Sequence, residues 1–115
     1  MTPDEVADIF AAFRRPVRCR RMFGGMGVYA DGVMFALVSD GRLYLKADLA
    51  FSLDLRETGS EPFTYEARGK RVTLGFWSLP ESALDDATAA AEFADRALRV
   101  ALAVAATATP RRSRR

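Results

Sequence analysis

The residues best able to do chemistry lie between Arg14 and Arg21, where Arg14, Arg15, Arg18, Arg20 and Arg21 surround Cys19, the one cysteine of the chain. Two chemistries suit that grouping. Guanidinium groups present a planar fork of donors matched to phosphate, so this cluster could hold an anion or a nucleic-acid backbone. A thiol beside cations could ionise to a reactive thiolate. With no histidine and no second cysteine to assist it, Cys19 reads instead as a small core residue. The plainer account of the arginines is that Arg14 and Arg15 complement a helix end while the others line a solvated strand edge. A second basic spot, Arg68, Lys70 and Arg71, surrounds Gly69.

Composition narrows the chemistry further. The chain has no histidine and a single cysteine, which excludes internal disulfides, cysteine-cluster zinc sites and histidine-based catalysis. No nucleophile and base can be paired, so no enzyme and no cofactor are expected. The formal net charge is +2, but Arg111, Arg112, Arg114 and Arg115 crowd the last six positions. Without them 13 basic residues face 15 acidic ones, a net −2. A body so near neutrality is no general nucleic-acid surface, and any such contact is expected to be local, weak and electrostatic.

Gly25-Met26-Gly27-Val28-Tyr29-Ala30 imitates the G-x-G-x-x-A dinucleotide fingerprint. That motif needs a helix after its glycines, so that the pyrophosphate meets a helix N-terminus. Here a strand and a turn follow, and the glycines are better explained by a turn or bulge and by close packing against a helix.

The elements that must position these residues start from Asp31-Gly32 and Asp40-Gly41, which cut residues 21–46 into three short strands. Asp-Gly suits a two-residue hairpin loop, where both positions take φ > 0. Counting from the turns pairs Tyr29 with Met34 and Val38 with Leu43. Before this meander, Thr2-Pro3-Asp4-Glu5 carries a capping box, and Val6, Ile9, Phe10 and Phe13 form a helical stripe that Arg14, Arg15 and Pro16 close. Val17 to Phe23 reads as the first strand; strict alternation would send Arg21 inward, through a bulge or as a buried, paired arginine. Asp48 can cap a second helix, although Leu49, Phe51, Leu53 and Leu55 alternate like a strand. Phe63, Tyr65 and Ala67 then face Val72, Leu74 and Phe76 in a further hairpin. Asp85 or Asp86 starts a long terminal helix with Phe93, Ala97, Val100, Ala101 and Val104 as its stripe, and with Glu92–Arg96 and Asp95–Arg99 pairs. Val100 to Thr109 carries no charge, so the helix end either packs between elements or meets another chain. Pro110 is expected to end the helix, leaving residues 107–115 as a disordered basic tail after a domain of residues 1–106.

Strict alternation sorts the meander into two faces. Gly25, Gly27, Tyr29, Met34, Ala36, Val38, Leu43 and Leu45 make a small-residue face suited to the Ala-rich helix. Met26, Val28, Val33, Phe35, Leu37, Arg42, Tyr44 and Lys46 make the other. If all helices cover the first face, Met26, Val28, Phe35, Leu37 and Tyr44 remain to be covered by a second copy, and a homodimer is expected.

The ordered series Arg21-Met22-Phe23-Gly24-Gly25, Gly27, Tyr29, Asp31-Gly32, Met34-Phe35-Ala36, Asp40-Gly41, Leu43 to Lys46, Glu61-Pro62-Phe63, Phe76-Trp77 and Leu79-Pro80 resembles the N-terminal domain of the TfoX/Sxy family of bacterial competence regulators. That resemblance implies an α+β fold of two layers with an antiparallel sheet, in the order α-β(4)-α-β(2)-α. It also implies a non-enzymatic regulatory or protein-interaction module linked to competence or other gene expression. The alternative is a nucleic-acid-binding transcriptional regulator using the Arg14 to Arg21 cluster. Relatives tied to competence carry a further C-terminal domain, whereas this chain continues into an Ala-rich helix and an Arg tail, as a stand-alone version would. No stretch approaches the ~20 apolar residues of a membrane span, and Asp4, Glu5 and Asp8 replace the basic flank of a signal peptide, so a cytoplasmic protein is expected.

Overall fold

A computed structural model describes residues 1–22 and 24–112, with the backbone alone at Ala67, Arg71 to Leu74 and residues 108–112. Helix α1 (Pro3–Ile9) opens on the capping box: the Glu5 amide donates to Thr2 Oγ1 at 3.2 Å while the Thr2 amide donates to Glu5 Oε1 at 2.7 Å. The helix is shorter than its apolar stripe suggests. It is capped at Phe10, and Phe13 returns an amide hydrogen bond to Phe10 through a turn. Arg14 and Arg15 therefore lie beyond the helix and do not complement its dipole.

Strands β1 (Arg18–Met22), β2 (Gly25–Ala30), β3 (Val33–Ser39) and β4 (Arg42–Lys46) follow as an antiparallel meander. Both Asp-Gly loops have the expected mirror-turn backbone, with φ of 52° and 82° at Asp31-Gly32 and 52° and 73° at Asp40-Gly41. Helix α2 (Leu49–Glu57) is capped by Asp48, which accepts from the Phe51 amide at 2.9 Å. Phe51 and Leu55 are buried while Leu49 and Leu53 are exposed, the four-residue spacing of a helix rather than the two of a strand. Strands β5 (Pro62–Ala67) and β6 (Lys70–Ser78) form the last hairpin around Arg68-Gly69. A short helix α3 (Glu81–Leu84), absent from the sequence reading, precedes α4 (Ala87–Arg112), whose first turn Asp86 caps through the Ala89 amide at 3.1 Å. The helix continues through Pro110 to Arg112, two residues past the point where Pro110 was expected to end it. Ser113 to Arg115, the rest of the expected disordered tail, lie outside the described residues.

The sheet order is β1-β2-β3-β4-β6-β5, all antiparallel, and the helices share one side of it. One core joins Val6 of α1 and its cap residue Phe10, Phe51 and Leu55 of α2, Ala83 of α3 and Ala90, Ala94, Ala97, Leu98 and Ala101 of α4 to one face of the sheet. The stripe of α4 that packs is thus alanine-rich, whereas Val104, expected within it, is half exposed. Of the two expected i, i+4 pairs only Asp95–Arg99 forms, at 3.4 Å; Arg96 reaches across to Asp54 of α2 at 2.9 Å and lies over the Phe51 ring. Among the described residues no helix is long and apolar enough to cross a membrane.

The two sheet faces are not those of strict alternation. Both predicted pairs, Tyr29–Met34 and Val38–Leu43, are present, but Val28 lies opposite Ala36, which leaves Phe35 as an extra residue in β3. A bulge of this kind turns two consecutive side chains to one side. Phe35 and Ala36 are accordingly both fully buried under the helices, the Phe35 ring 5.6 Å from that of Phe10 and 5.4 Å from that of Phe13. Past the bulge the alternation is inverted. Met26, Val28, Phe35, Ala36, Val38, Leu43 and Leu45 face the helices, while Gly27, Tyr29, Met34, Leu37 and Tyr44 look away. Gly27 is therefore no seat for α4: a Cβ there would meet Met34, Tyr29 and Met22 on the open side, at 2.7 to 3.0 Å.

Candidate functional site

The open face of the sheet is where exposed aromatic, apolar and cationic side chains converge. Lateral pairing sets its rows. Arg20 lies opposite Gly27, Gly27 opposite Leu37, Leu37 opposite Tyr44, and Tyr44 opposite Ser78, so these residues cross the sheet in line. On one flank the Tyr44 ring meets Phe63 edge-on at 5.0 Å, and Phe63 stacks on Tyr65 at 6.2 Å. Leu37 is the buried floor of a groove of about 320 Å3, walled by Met22 on one side and by Phe63 and Tyr65 on the other. Met22 and Tyr65 are 42 % and 41 % exposed, so the walls of the groove are accessible from solvent.

Cations sit over the rings of this face. Arg20 lies 5.9 Å from the Tyr29 centroid, Arg42 5.8 Å from that of Tyr44 and Lys46 5.0 Å from that of Phe76. Arg42 also donates to Glu61 at 2.9 Å, a hydrogen bond that raises its pKa further above the ordinary arginine value.

The five arginines of the sequence cluster do not act together. Arg14 and Arg15 line a cleft of about 760 Å3 on the helix side, shared with Arg96, Arg99, Glu92 and Asp95, and Arg15 is paired with Asp31. Arg18 and Arg20 share the open side of β1 with Met22. Arg21 is exposed at the rim of a hollow beside Thr2 and Asp40. The β1–β2 register is regular throughout and Arg21 is exposed, so it needs neither a bulge nor a buried partner: β1 is an edge strand, and Arg21 stands open to solvent beside the start of α1. Arg68 and Lys70 are exposed on the β5–β6 turn, at the opposite edge of the sheet from β1; the side chain of Arg71 lies outside the described residues.

The self-association surface read from sequence is likewise divided. Val28 and Phe35 are fully buried beneath the helices and Met26 is half-buried on the same side, whereas Leu37 and Tyr44 belong to the open face. The bulge at Phe35 accounts for the split. Sequence reasoning missed Phe63, Tyr65 and Met22 as parts of a surface, because they come from strands that only the sheet order and its curl bring together.

Of the motif run Arg21-Met22-Phe23-Gly24-Gly25, Phe23 lies outside the described residues. Gly25 has a plain structural role: a Cβ there would stand 1.9 Å from the Val38 carbonyl oxygen, so only glycine lets β2 approach β3 at that point. Cys19 packs half-buried against the core, and burial raises its thiol pKa, the opposite of an activated thiolate.

The TfoX N-terminal domain model matches residues 8–101. The DNA transformation protein TfoX1 of Aliivibrio fischeri is 34 % identical over 62 residues, covering 54 % of this chain and 30 % of that protein. Protein Sxy of Escherichia coli is 33 % identical over 66 residues, covering 57 % of this chain and 32 % of that protein. The aligned segment thus spans about a third of each relative. Because the family model covers most of its length, the chain belongs to the TfoX N-terminal domain family.

Proposed function

We propose that this protein is a non-enzymatic regulatory module, working in the cytoplasm through non-covalent contact with a macromolecular partner to influence competence or other gene expression. The observation that carries this reading is the open sheet face, where Met22, Tyr44, Phe63 and Tyr65 form an accessible apolar and aromatic surface rimmed by cations. Such an apolar patch with a charged rim is the anatomy of a contact surface. Likeness to a protein named for DNA transformation supplies the biological direction. Deleting the gene in its host should shift transcript levels of DNA-uptake genes. The intact gene should restore them and a Tyr65→Glu copy should not. Unchanged transcripts together with unchanged transformation would overturn the reading.

Self-association accompanies this proposal, moved from the sheet to the end of α4. Leu102 and Val104 are 37 % and 50 % exposed within a stretch free of charge, where a second copy could cover them. Sedimentation at tens of micromolar should give a dimer that Val104→Glu dissociates. A 12.7 kDa species would remove the dimer while leaving the regulatory reading intact.

A further inference from the structure

We infer that the open sheet face is a binding platform for single-stranded nucleic acid, with bases stacking on Tyr65 and Phe63 and the sugar–phosphate chain following Arg18, Arg20 and Lys46. This names the partner of the face on which the regulatory reading rests, and the binding test below can fail while the transcript test of that reading succeeds. Proteins that take up single strands combine sequence-tolerant aromatic stacking with a cationic track for the backbone, and an exposed antiparallel sheet is one way to display both. Both parts are present on this face.

Tyr65 is 41 % exposed and already stacked on Phe63, at an interplanar angle of 25°, so a base can extend an existing stack. The groove beside it, about 320 Å3 with Leu37 as its floor and Met22 as its far wall, is apolar and open to a second ring. Arg18 and Arg20 share one side of β1, and Lys46 projects from β4. Among the described residues no carboxylate lies within ion-pair distance of these three cations; Glu61 is paired with Arg42. Arg18, Arg20 and Lys46 thus place positive charge without a carboxylate partner on the side of the sheet that carries the rings. On the helix side, by contrast, the cleft holding Arg14 and Arg15 also holds Glu92 and Asp95, and Arg15 and Arg99 are engaged with carboxylates.

A concave, ring-lined surface favours a single strand over a duplex, because stacking needs bases free of their partners. Binding to a single strand should weaken with salt by about 0.7 log units per phosphate contact, so three or four contacts give a slope of roughly −2 to −3.

The test is fluorescence anisotropy with labelled 12-residue oligo-dT and oligo-U and a duplex of equal length, titrated with the full chain between 50 and 200 mM salt. The expected result is binding of both single strands at least about tenfold tighter than the duplex, with that salt slope. Tyr65→Ala is expected to weaken binding about tenfold, as for loss of one stacked base. Arg20→Gln and Lys46→Gln should each flatten the slope, while Arg14→Ala should change affinity less than about twofold. Circular dichroism confirms that each variant is folded. A preference between dT and U would say which nucleic acid the platform takes. Equal or tighter duplex binding, no binding at 50 mM salt, or sensitivity to Arg14 but not to Tyr65 would each overturn the inference. So would a dimer in sedimentation that Tyr65→Ala dissociates, since the face would then belong to a second copy.

Discussion

Met22 and Tyr65 stand on the two edge strands of the sheet, β1 and β5, yet line the same groove. On a flat sheet the five gaps between six strands, each ~4.8 Å, would hold them about 24 Å apart. The sheet must therefore curl across its open face, and the bulge at Phe35 provides a place to bend and an increase in local twist. Spin labels at Met22→Cys and Tyr65→Cys, in a Cys19→Ser background, should give a distance distribution centred well below that flat-sheet separation. A distribution at or beyond it would mean that the groove does not persist in solution.

Gly25 marks the closest approach of β2 and β3. With the Val38 carbonyl oxygen 1.9 Å from where a Cβ would stand, Gly25→Ala must push two hydrogen-bonded strands apart. Overpacking of this kind costs about 1–3 kcal/mol or more, a fall in Tm of at least about 5 °C for a domain this size. Gly24→Ala meets no atom nearby but sits at φ 70°, so its cost is backbone strain alone and should be the smaller. Thermal denaturation of both variants checks the order, which would be reversed if local conformation outweighed strand spacing.

Arg96 joins two helices that the sequence reading kept apart. Its guanidinium lies 4.3 Å from the Phe51 ring centroid and 2.9 Å from Asp54. Both partners of the ion pair are substantially exposed, so Asp54→Asn should cost under about 1 kcal/mol. Arg96→Ala also removes the ring contact and the packing of its stem, and should cost about 1–2 kcal/mol. Equal losses in urea denaturation would show that the ring contact contributes nothing.

Burial holds the Cys19 thiol above its ordinary pKa. At pH 8 the folded protein should therefore present less thiolate than the same chain in urea, and iodoacetamide should alkylate it more slowly. Raising the pH through the folded value should close that gap. The same sign applies to stability: the folded state holds the proton more tightly, so the contribution of Cys19 is full below the unfolded pKa and declines as pH rises through the folded one. Faster alkylation of the folded form would restore the activated-thiolate reading.

What the sequence determined by itself was every feature written in local chemistry. Asp-Gly pairs demanded mirror turns, Thr2 with Glu5 and Asp48 announced helix starts, and the count of cysteines and histidines removed whole classes of mechanism. The ordered glycine and aromatic series carried the family. Two things were decided only by the tertiary structure. The faces of the sheet depended on one extra residue in β3, and Val33 to Val38 is apolar on both sides of the bulge, so no polar residue marked where the alternation inverted. The division of the arginines depended on the early end of α1 at Ile9 and on the edge position of β1. Five arginines adjacent in sequence point three ways, and Met22, Phe63 and Tyr65, far apart in sequence, meet across Leu37. Turns and caps are fixed by neighbours a few residues away, whereas the open face is fixed by which strands the core draws together and how far the sheet curls around it.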